Sequence, residues 1–123
     1  MARILIIEDS PLNLELLNFV LSTTGHDLLQ ADRAPRGIEI ARQASVDLIL
    51  MDINMPGMDG VEAVRTLRAH PETRGIPIVA VTALAMAGDK ERIIAAGFDD
   101  YIAKPVDFAL LLEKVAQFTQ TKF

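Results

Sequence analysis

The sequence contains no cysteine, so disulfides and thiolate metal sites are excluded and a reducing compartment, the cytoplasm, is the expected location. Basic charge is also in short supply: 12 Lys and Arg stand against 17 Asp and Glu, a net charge of −5 with a pI of about 4.9. A nucleic-acid footprint built on clustered cations is therefore not expected. No apolar run approaches the roughly 20 residues that cross a bilayer, so no membrane span is expected. The opening segment, MARILIIEDS, lacks the length and cleavage site of a signal peptide. Repeats, low-complexity tracts and linkers are absent as well. What remains is globular in composition, with 50% hydrophobic and 24% charged residues in a chain of 123. One core is expected, a single domain over 1–123 with no output domain attached.

The stretch Val46 to Gly60, VDLILMDINMPGMDG, organises the reading of the chain. Leu48 to Met51 form a continuous apolar run, the pattern of a strand buried on both faces of a parallel sheet. Asp52 sits at its carboxyl end, and the following Met-Pro-Gly-Met-Asp-Gly can extend neither strand nor helix. The same pattern recurs along the chain. Ile4 to Ile7 run into Glu8 and Asp9, after which Ser10 and Pro11 read as the cap and first residue of a helix carrying Leu14, Leu17, Val20 and Leu21 and closed by Gly25. Leu28 and Leu29 mark a short second strand, and Ala34-Pro35 opens a helix with Ile38, Ile40 and Ala41. Val61, Val64 and Leu67 predict a third helix ending near His70-Pro71. Ile78 to Val81 end on Thr82; a fourth helix is predicted over 86–96 with Ile93 and Ile94 inward and Gly97 as terminator. Tyr101 to Ala103 end on Lys104-Pro105, and Leu110, Leu111, Val115 and Phe118 give the last helix its buried face.

Strands alternating with helices at these lengths predict a three-layer α/β domain with right-handed crossovers. All strands of a parallel sheet point one way, so the residues that end them gather along one edge, where ligands bind in this architecture. Glu8, Asp9, Asp52, Thr82 and Lys104 each follow an apolar run and are expected there. Singly, each has a plain structural reading as a turn residue, a helix-start acid, a loop hydroxyl or a solvated lysine. Their coincidence at one edge is what points to a site. Clustered carboxylates repel and call for a cation, and an all-oxygen donor set suits Mg²⁺. Mg²⁺ and Lys104 beside an exposed carboxylate suit phosphoryl transfer onto Asp52, with an aspartyl phosphate as product.

Four motifs in order, IIEDSPLN, DLILMDINMPGMDG, PIVAVTA and DDYIAKP, make the chain resemble a receiver domain of two-component response regulators over essentially its whole length. The resemblance implies a flavodoxin-like (βα)5 fold with strand order 2-1-3-4-5. It implies Asp52 as phosphoacceptor, Glu8 and Asp9 as the acidic pair, and Mg²⁺ held by Asp9, Asp52 and the backbone carbonyl of Asn54, with Glu8 acting through water. It also implies Thr82 as the switch hydroxyl, Lys104 as the lysine that pairs with the phosphoryl group, Tyr101 as the aromatic that turns inward, and a cis Lys104-Pro105 bond. The implied phosphodonor is a histidine kinase or a histidine phosphotransfer protein, selected by surface residues on the first helix. The implied output is a protein target on the face of the fourth helix, fifth strand and fifth helix. Both stand-alone response regulators of the DivK cell-cycle type and receivers of hybrid histidine kinases are similar to this sequence.

Three other functions use comparable residues. A Mg²⁺-dependent phosphatase or phosphotransferase with an Asp nucleophile is suggested by DIN, although such enzymes usually carry a second Asp two residues on. A flavin carrier on the same fold would need a phosphate cradle, and EDSPLN offers no glycine for one. The third is a receiver-fold interaction module that acts without phosphorylation. His26 and His70 have no companion ligands in sequence and read as surface residues, Met51 as core, Met55 and Met58 as packing for the loop after Asp52, and the terminal TQTKF as a frayed tail.

Overall fold

The computed structural model describes residues 2–53, 55, 57–83 and 88–119. Five strands and five helices alternate: β1 (Arg3–Ile7), α1 (Pro11–Ser22), β2 (Asp27–Ala31), α2 (Ala34–Gln43), β3 (Leu48–Asp52), α3 (Gly60–Ala69), β4 (Ile78–Thr82), α4 (Asp89–Ala96), β5 (Asp100–Ala103) and α5 (Phe108–Thr119). The strands form one parallel sheet in the order β2-β1-β3-β4-β5, the α/β topology the sequence predicts. β3 and β4 are buried at every position. That burial is why LILMD and IVAVT read as unbroken apolar runs rather than as alternating ones.

Alternation of side chains still divides the core into two layers. Leu5, Ile7, Ile49, Met51, Ile78 and Ala80 pack with Ile38, Ala41, Val64, Leu67 and Ile93 of α2, α3 and α4. Ile4, Ile6, Leu48, Leu50, Val79, Val81 and Ile102 pack with Leu17, Leu21, Leu111 and Val115 of α1 and α5. Helix starts follow local chemistry. Ser10 Oγ accepts the Asn13 N–H at 3.3 Å, and Asp59 Oδ1 accepts the Glu62 N–H at 2.9 Å, each satisfying a donor that the helix cannot.

Two expectations about helix faces are corrected. Ile93 is buried but Ile94 is 41% exposed, and Leu111 is buried while Leu110 is 37% exposed. Successive helical residues are about 100° apart, so the second of two adjacent large apolar residues can fall at the edge of the buried stripe, as Ile94 and Leu110 do. α1 stops at Ser22, before Gly25; Thr23 and Thr24 close it by returning their hydroxyls to Val20 O and Leu21 O at 2.7 and 2.6 Å, and Gly25 occupies the left-handed turn beyond (φ +81°). Thr119, read as tail, is the last helical residue, with its hydroxyl on Val115 O at 2.6 Å. Met86, expected in the fourth helix, lies outside the described residues, as do 120–123. His26 is half-buried, and its Nδ1 accepts the Ala2 N–H at 2.9 Å, so it closes the start of β1 rather than standing free on the surface.

Backbone contact at Gly60 closes the loop after β3. Its N–H donates to Ile53 O at 2.7 Å, and a Cβ there would stand 2.6 Å from Ile53 Cα. Gly37 also sits tightly, but a Cβ on it would meet Cδ1 and Cγ1 of the buried Ile7, side-chain rather than backbone atoms. Gly60→Ala is expected to destabilise the fold by about 1–3 kcal/mol. Gly37→Ala should cost less, because the helix gains roughly 1 kcal/mol of propensity against the overlap. Urea unfolding of both variants measures the difference, and equal losses would contradict the backbone clash.

Candidate functional site

Strand ends assemble the site. The Glu8 N–H donates to Ala31 O at 3.0 Å, carrying the β1–β2 pairing one residue beyond the strand and fixing where Glu8 leaves the sheet. The Glu8 carboxylate is buried, and its Oε2 accepts the Ser10 N–H at 3.2 Å, so the residue that caps α1 also holds the acid. Asp52 ends β3 opposite Val81 and is buried; Thr82 ends β4 opposite Ala103 and is fully buried. The Lys104 N–H donates to Thr82 O at 2.8 Å, which starts the lysine side chain beside the threonine. From there Lys104 Nζ reaches Glu8 Oε1 at 3.1 Å and Asp52 Oδ2 at 3.2 Å. The Lys104–Pro105 bond is cis, as the motif implies.

Of the residues expected at the edge, the structure brings Glu8, Asp9, Asp52 and Lys104 together. Glu8, Asp9 and Asp52 place carboxylate oxygens within 4.8 Å of one another, with Asp9 the most open of the three. Tyr101 lies one strand further out, half-buried on β5 opposite Ala80 and packed against the core layer that includes Ala80. Asn54 lies outside the described residues. Met51 and Met55 are buried and Met58 partly so, which suits their expected packing role. The Ser10 N–H on Glu8 was not foreseen, because a backbone donor leaves no trace in residue type. Asp59 as a cap was also missed, although Asp-x-x-Glu before an apolar helix is a readable signal.

Charge balance explains the arrangement. Burial pushes the Glu8 carboxyl above its usual range and the neighbouring Asp52 adds to the rise, while the Ser10 N–H and Lys104 oppose it without cancelling it. Burial pulls Lys104 downward, but its close contacts with the Glu8 and Asp52 carboxylates outweigh that and hold its ammonium above the ordinary lysine range. One positive charge thus faces three acids. Glu8 Oε1 is buried and, among the described residues, has the Lys104 ion pair at 3.1 Å but accepts no aligned hydrogen bond. A buried oxygen lacking a donor, beside two further carboxylates and no His or Cys, fits a hard divalent cation and its waters. A cavity of about 510 Å³ opens beside the cluster between α1 and the segment after β5, with Glu8 and Lys104 in its wall among Leu16, Leu17, Val106 and Phe108. A larger depression, about 710 Å³, lies away on α2, where Arg36 and Arg42 already pair with Glu39 and Glu72.

The model of the response regulator receiver domain matches residues 4–116. The chain belongs to the response regulator receiver domain family. It is a signalling module of two-component systems rather than an enzyme in the ordinary sense. This receiver is 42% identical over 115 residues to protein PilH of Pseudomonas aeruginosa, covering 94% of its own length and 95% of PilH. It is 41% identical over 104 residues to the histidine-protein kinase BarA of Shigella flexneri, covering 85% of its own length and spanning only 11% of that kinase. Among solved structures it superimposes on the receiver domain of the sensor histidine kinase PA1611 of Pseudomonas aeruginosa with a TM-score of 0.89, 33% identity and 98% of each chain covered; that structure has a magnesium ion in its active-site cleft. A Saccharomyces cerevisiae receiver domain bound to a histidine phosphotransfer protein gives a TM-score of 0.89 at 26% identity, covering 96% of this receiver and 88% of that chain. Among the described residues no helix is long and apolar enough to cross a membrane.

The raised Glu8 value sets a testable sign. A carboxyl that binds its proton more tightly folded than unfolded contributes stability that is full below the unfolded range and is lost as pH rises through the folded value. At neutral pH without divalent cations, Glu8→Gln should therefore be at least as stable as the natural protein, with the gap closing as pH falls below Glu8's titration. Millimolar Mg²⁺ should reverse the order by stabilising the natural protein more, since a ligand adds stability in proportion to its affinity for the folded state. Melting curves with and without Mg²⁺ read this directly; equal Mg²⁺ shifts would remove Glu8 from the metal environment.

Proposed function

We propose that Asp52 accepts a phosphoryl group from a phosphohistidine. The carrying observation is that its buried carboxylate stands 3.2 Å from the Lys104 ammonium and within 4.8 Å of carboxylate oxygens of Glu8 and Asp9. Asp9, Asp52 and the Asn54 backbone carbonyl would hold Mg²⁺, with Glu8 acting through its water. Bound there, Mg²⁺ would supply the positive charge that phosphoryl oxygens need in the transition state.

The protein's own residues do the rest. An Asp52 oxygen forms the new O–P bond while the N–P bond of the donor breaks, leaving its electron pair on the imidazole nitrogen, which takes up a proton. Lys104 sits within reach of both Asp52 and Glu8, so its ammonium neutralises a transferring oxygen without moving far. The acid cluster then loses charge balance toward the negative, and Thr82, whose backbone is already tied to Lys104, turns its hydroxyl to the phosphoryl group. Tyr101 follows on the adjacent strand. The consequence is a shift of a pre-existing equilibrium on the face formed by α4, β5 and α5, read by a protein target. The receiver catalyses only its own phosphorylation and dephosphorylation, and works in the cytoplasm. Its donor is a histidine kinase or a histidine phosphotransfer protein, the partner type bound by the yeast receiver of the same fold.

Intact mass after incubation with Mg²⁺ and acetyl phosphate tests the reading. The natural protein should gain one labile phosphoryl group; Asp52→Asn and a chelator control should show none. Lys104→Met should slow incorporation about a hundredfold, the scale of one oriented charge donor at a reacting centre. Thr82→Ala should incorporate phosphate yet fail to alter hydrogen exchange across α4, β5 and α5. Incorporation into Asp52→Asn at the natural rate would overturn the assignment.

A further inference from the structure

β5 delivers Lys104 to the site from the edge of the sheet. As an edge strand it pairs with β4 alone, and it is four residues long, with Ile102 its buried residue. So short a ladder on one side offers few backbone bonds to hold the strand in place. Where its carboxyl end arrives therefore depends on how both ends are fastened. At the site end the Lys104 N–H donates to Thr82 O at 2.8 Å. The other end is fastened through side chains.

Asp99, the residue before β5, engages both backbone groups of Ile78, the first residue of β4. Its Oδ2 accepts the Ile78 N–H and its own N–H donates to Ile78 O, both at 2.8 Å. One residue thus sets where β5 begins along β4. Arg68 of α3 holds that residue's carboxylate: Nη2 donates to the same Oδ2 at 2.8 Å, and Nη2 and Nε donate to Gly97 O at 2.9 and 3.1 Å. Nη1 donates to Arg74 O and Ile76 O at 2.9 and 2.7 Å, in the segment that leads into β4. The guanidinium therefore joins the entry of β4 to the entry of β5. The planar fork of arginine makes this possible; a lysine has one nitrogen and could not span Gly97, Asp99 and the 74–76 carbonyls. Lys114 of α5 pairs with Asp100 at 2.6 Å, but that pair ties β5 to a helix and leaves its placement along β4 to Asp99.

We infer that Arg68 and Asp99 are positioning residues for Lys104: by fixing the start of β5 against the start of β4, they fix where the lysine ammonium arrives beside Glu8 and Asp52. Only the four strand residues separate Asp99 from Lys104, and an extended chain passes a displacement along its own axis because it has no slack to absorb it. Lys104 Nζ stands 3.1 and 3.2 Å from its two carboxylates, so a shift of about 1 Å takes it out of contact, and a misplacement of that size at a reacting centre costs about a hundredfold in rate. The inference rests on the proposed phosphorylation of Asp52 only for this effect on rate. The fastening itself is a property of the unmodified receiver.

A double-mutant cycle on the rate of phosphoryl incorporation from acetyl phosphate and Mg²⁺ tests this in the full chain. Arg68→Met should slow incorporation about tenfold in the natural background but less than about twofold in Lys104→Met, because a residue that acts through the ammonium loses its effect once the ammonium is gone. A general loss of stability would slow both backgrounds alike. Arg68→Lys, which keeps the charge but not the fork, should fall between and serves if the Met variant folds poorly. Asp99→Asn keeps an oxygen for the Ile78 N–H and should stay nearer the natural rate than Asp99→Ala. Hydrogen exchange in the unmodified protein gives a second readout. In Arg68→Met the Lys104 amide should exchange about tenfold faster relative to the Ile49 amide, which bonds Pro77 O between β3 and β4. Thr73→Val is the control: it removes a buried hydroxyl that donates to Leu67 O at 2.6 Å at the same end of α3, and should lower overall stability while leaving the relative exchange of Lys104 unchanged. Equal slowing in the two backgrounds, faster exchange confined to Gly97 and Asp99, or the same acceleration at Lys104 in Thr73→Val would overturn the inference. Failure of the natural protein to take up phosphate would instead count against the Asp52 reading, with the exchange arm still deciding the role of Arg68.

Discussion

A single ammonium holds the site together. Lys104 Nζ stands 3.1 Å from Glu8 Oε1 and 3.2 Å from Asp52 Oδ2, joining residues from the ends of β1 and β3 to the segment after β5. That charge offsets the repulsion among three acids whose oxygens lie within 4.8 Å of one another, two of them buried. The remaining features of the sheet edge serve this contact. The cap of α1 presents an N–H to Glu8, Gly60 closes the loop after Asp52, and the Thr82 carbonyl fixes where Lys104 begins.

The same contact leaves the site incompletely satisfied, and that is its use. One lysine cannot neutralise three carboxylates, and among the described residues Glu8 Oε1 has no hydrogen-bond donor of its own. The fold tolerates this because its apolar layers on both sides of β3 and β4 supply the stability that the edge gives up. In the proposed reaction a divalent cation and a transferring phosphoryl group would together restore the balance. The opposite edge of the sheet shows the contrasting condition. There Arg68 finds a partner for every donor it presents to Gly97, Asp99, Arg74 and Ile76, and the structure is pinned.

Much of this was legible in order of residues. Apolar runs followed by Glu8, Asp9, Asp52, Thr82 and Lys104 marked the strands and their carboxyl ends, because the middle of a strand buried on two faces is apolar and polar residues gather where it ends. Helix faces were less legible. Ile93 and Ile94 are equally apolar, as are Leu110 and Leu111, and only the packed structure decides which of each pair meets the core. Backbone donors and acceptors were not legible at all: neither the Ser10 N–H on Glu8 nor the Gly97 carbonyl under Arg68 is marked by residue type.

The sequence by itself determined the class of fold, the roster of charged residues at the sheet edge and their resemblance to receiver domains, because hydrophobic period and residue chemistry are local properties that survive without coordinates. Tertiary structure decided what those residues do to one another. The 2-1-3-4-5 register observed here brings Lys104 between Glu8 and Asp52, and the turn of α3 sends Arg68 to Gly97. Distances across a sheet depend on which strands become neighbours, and that is settled only when the whole chain packs.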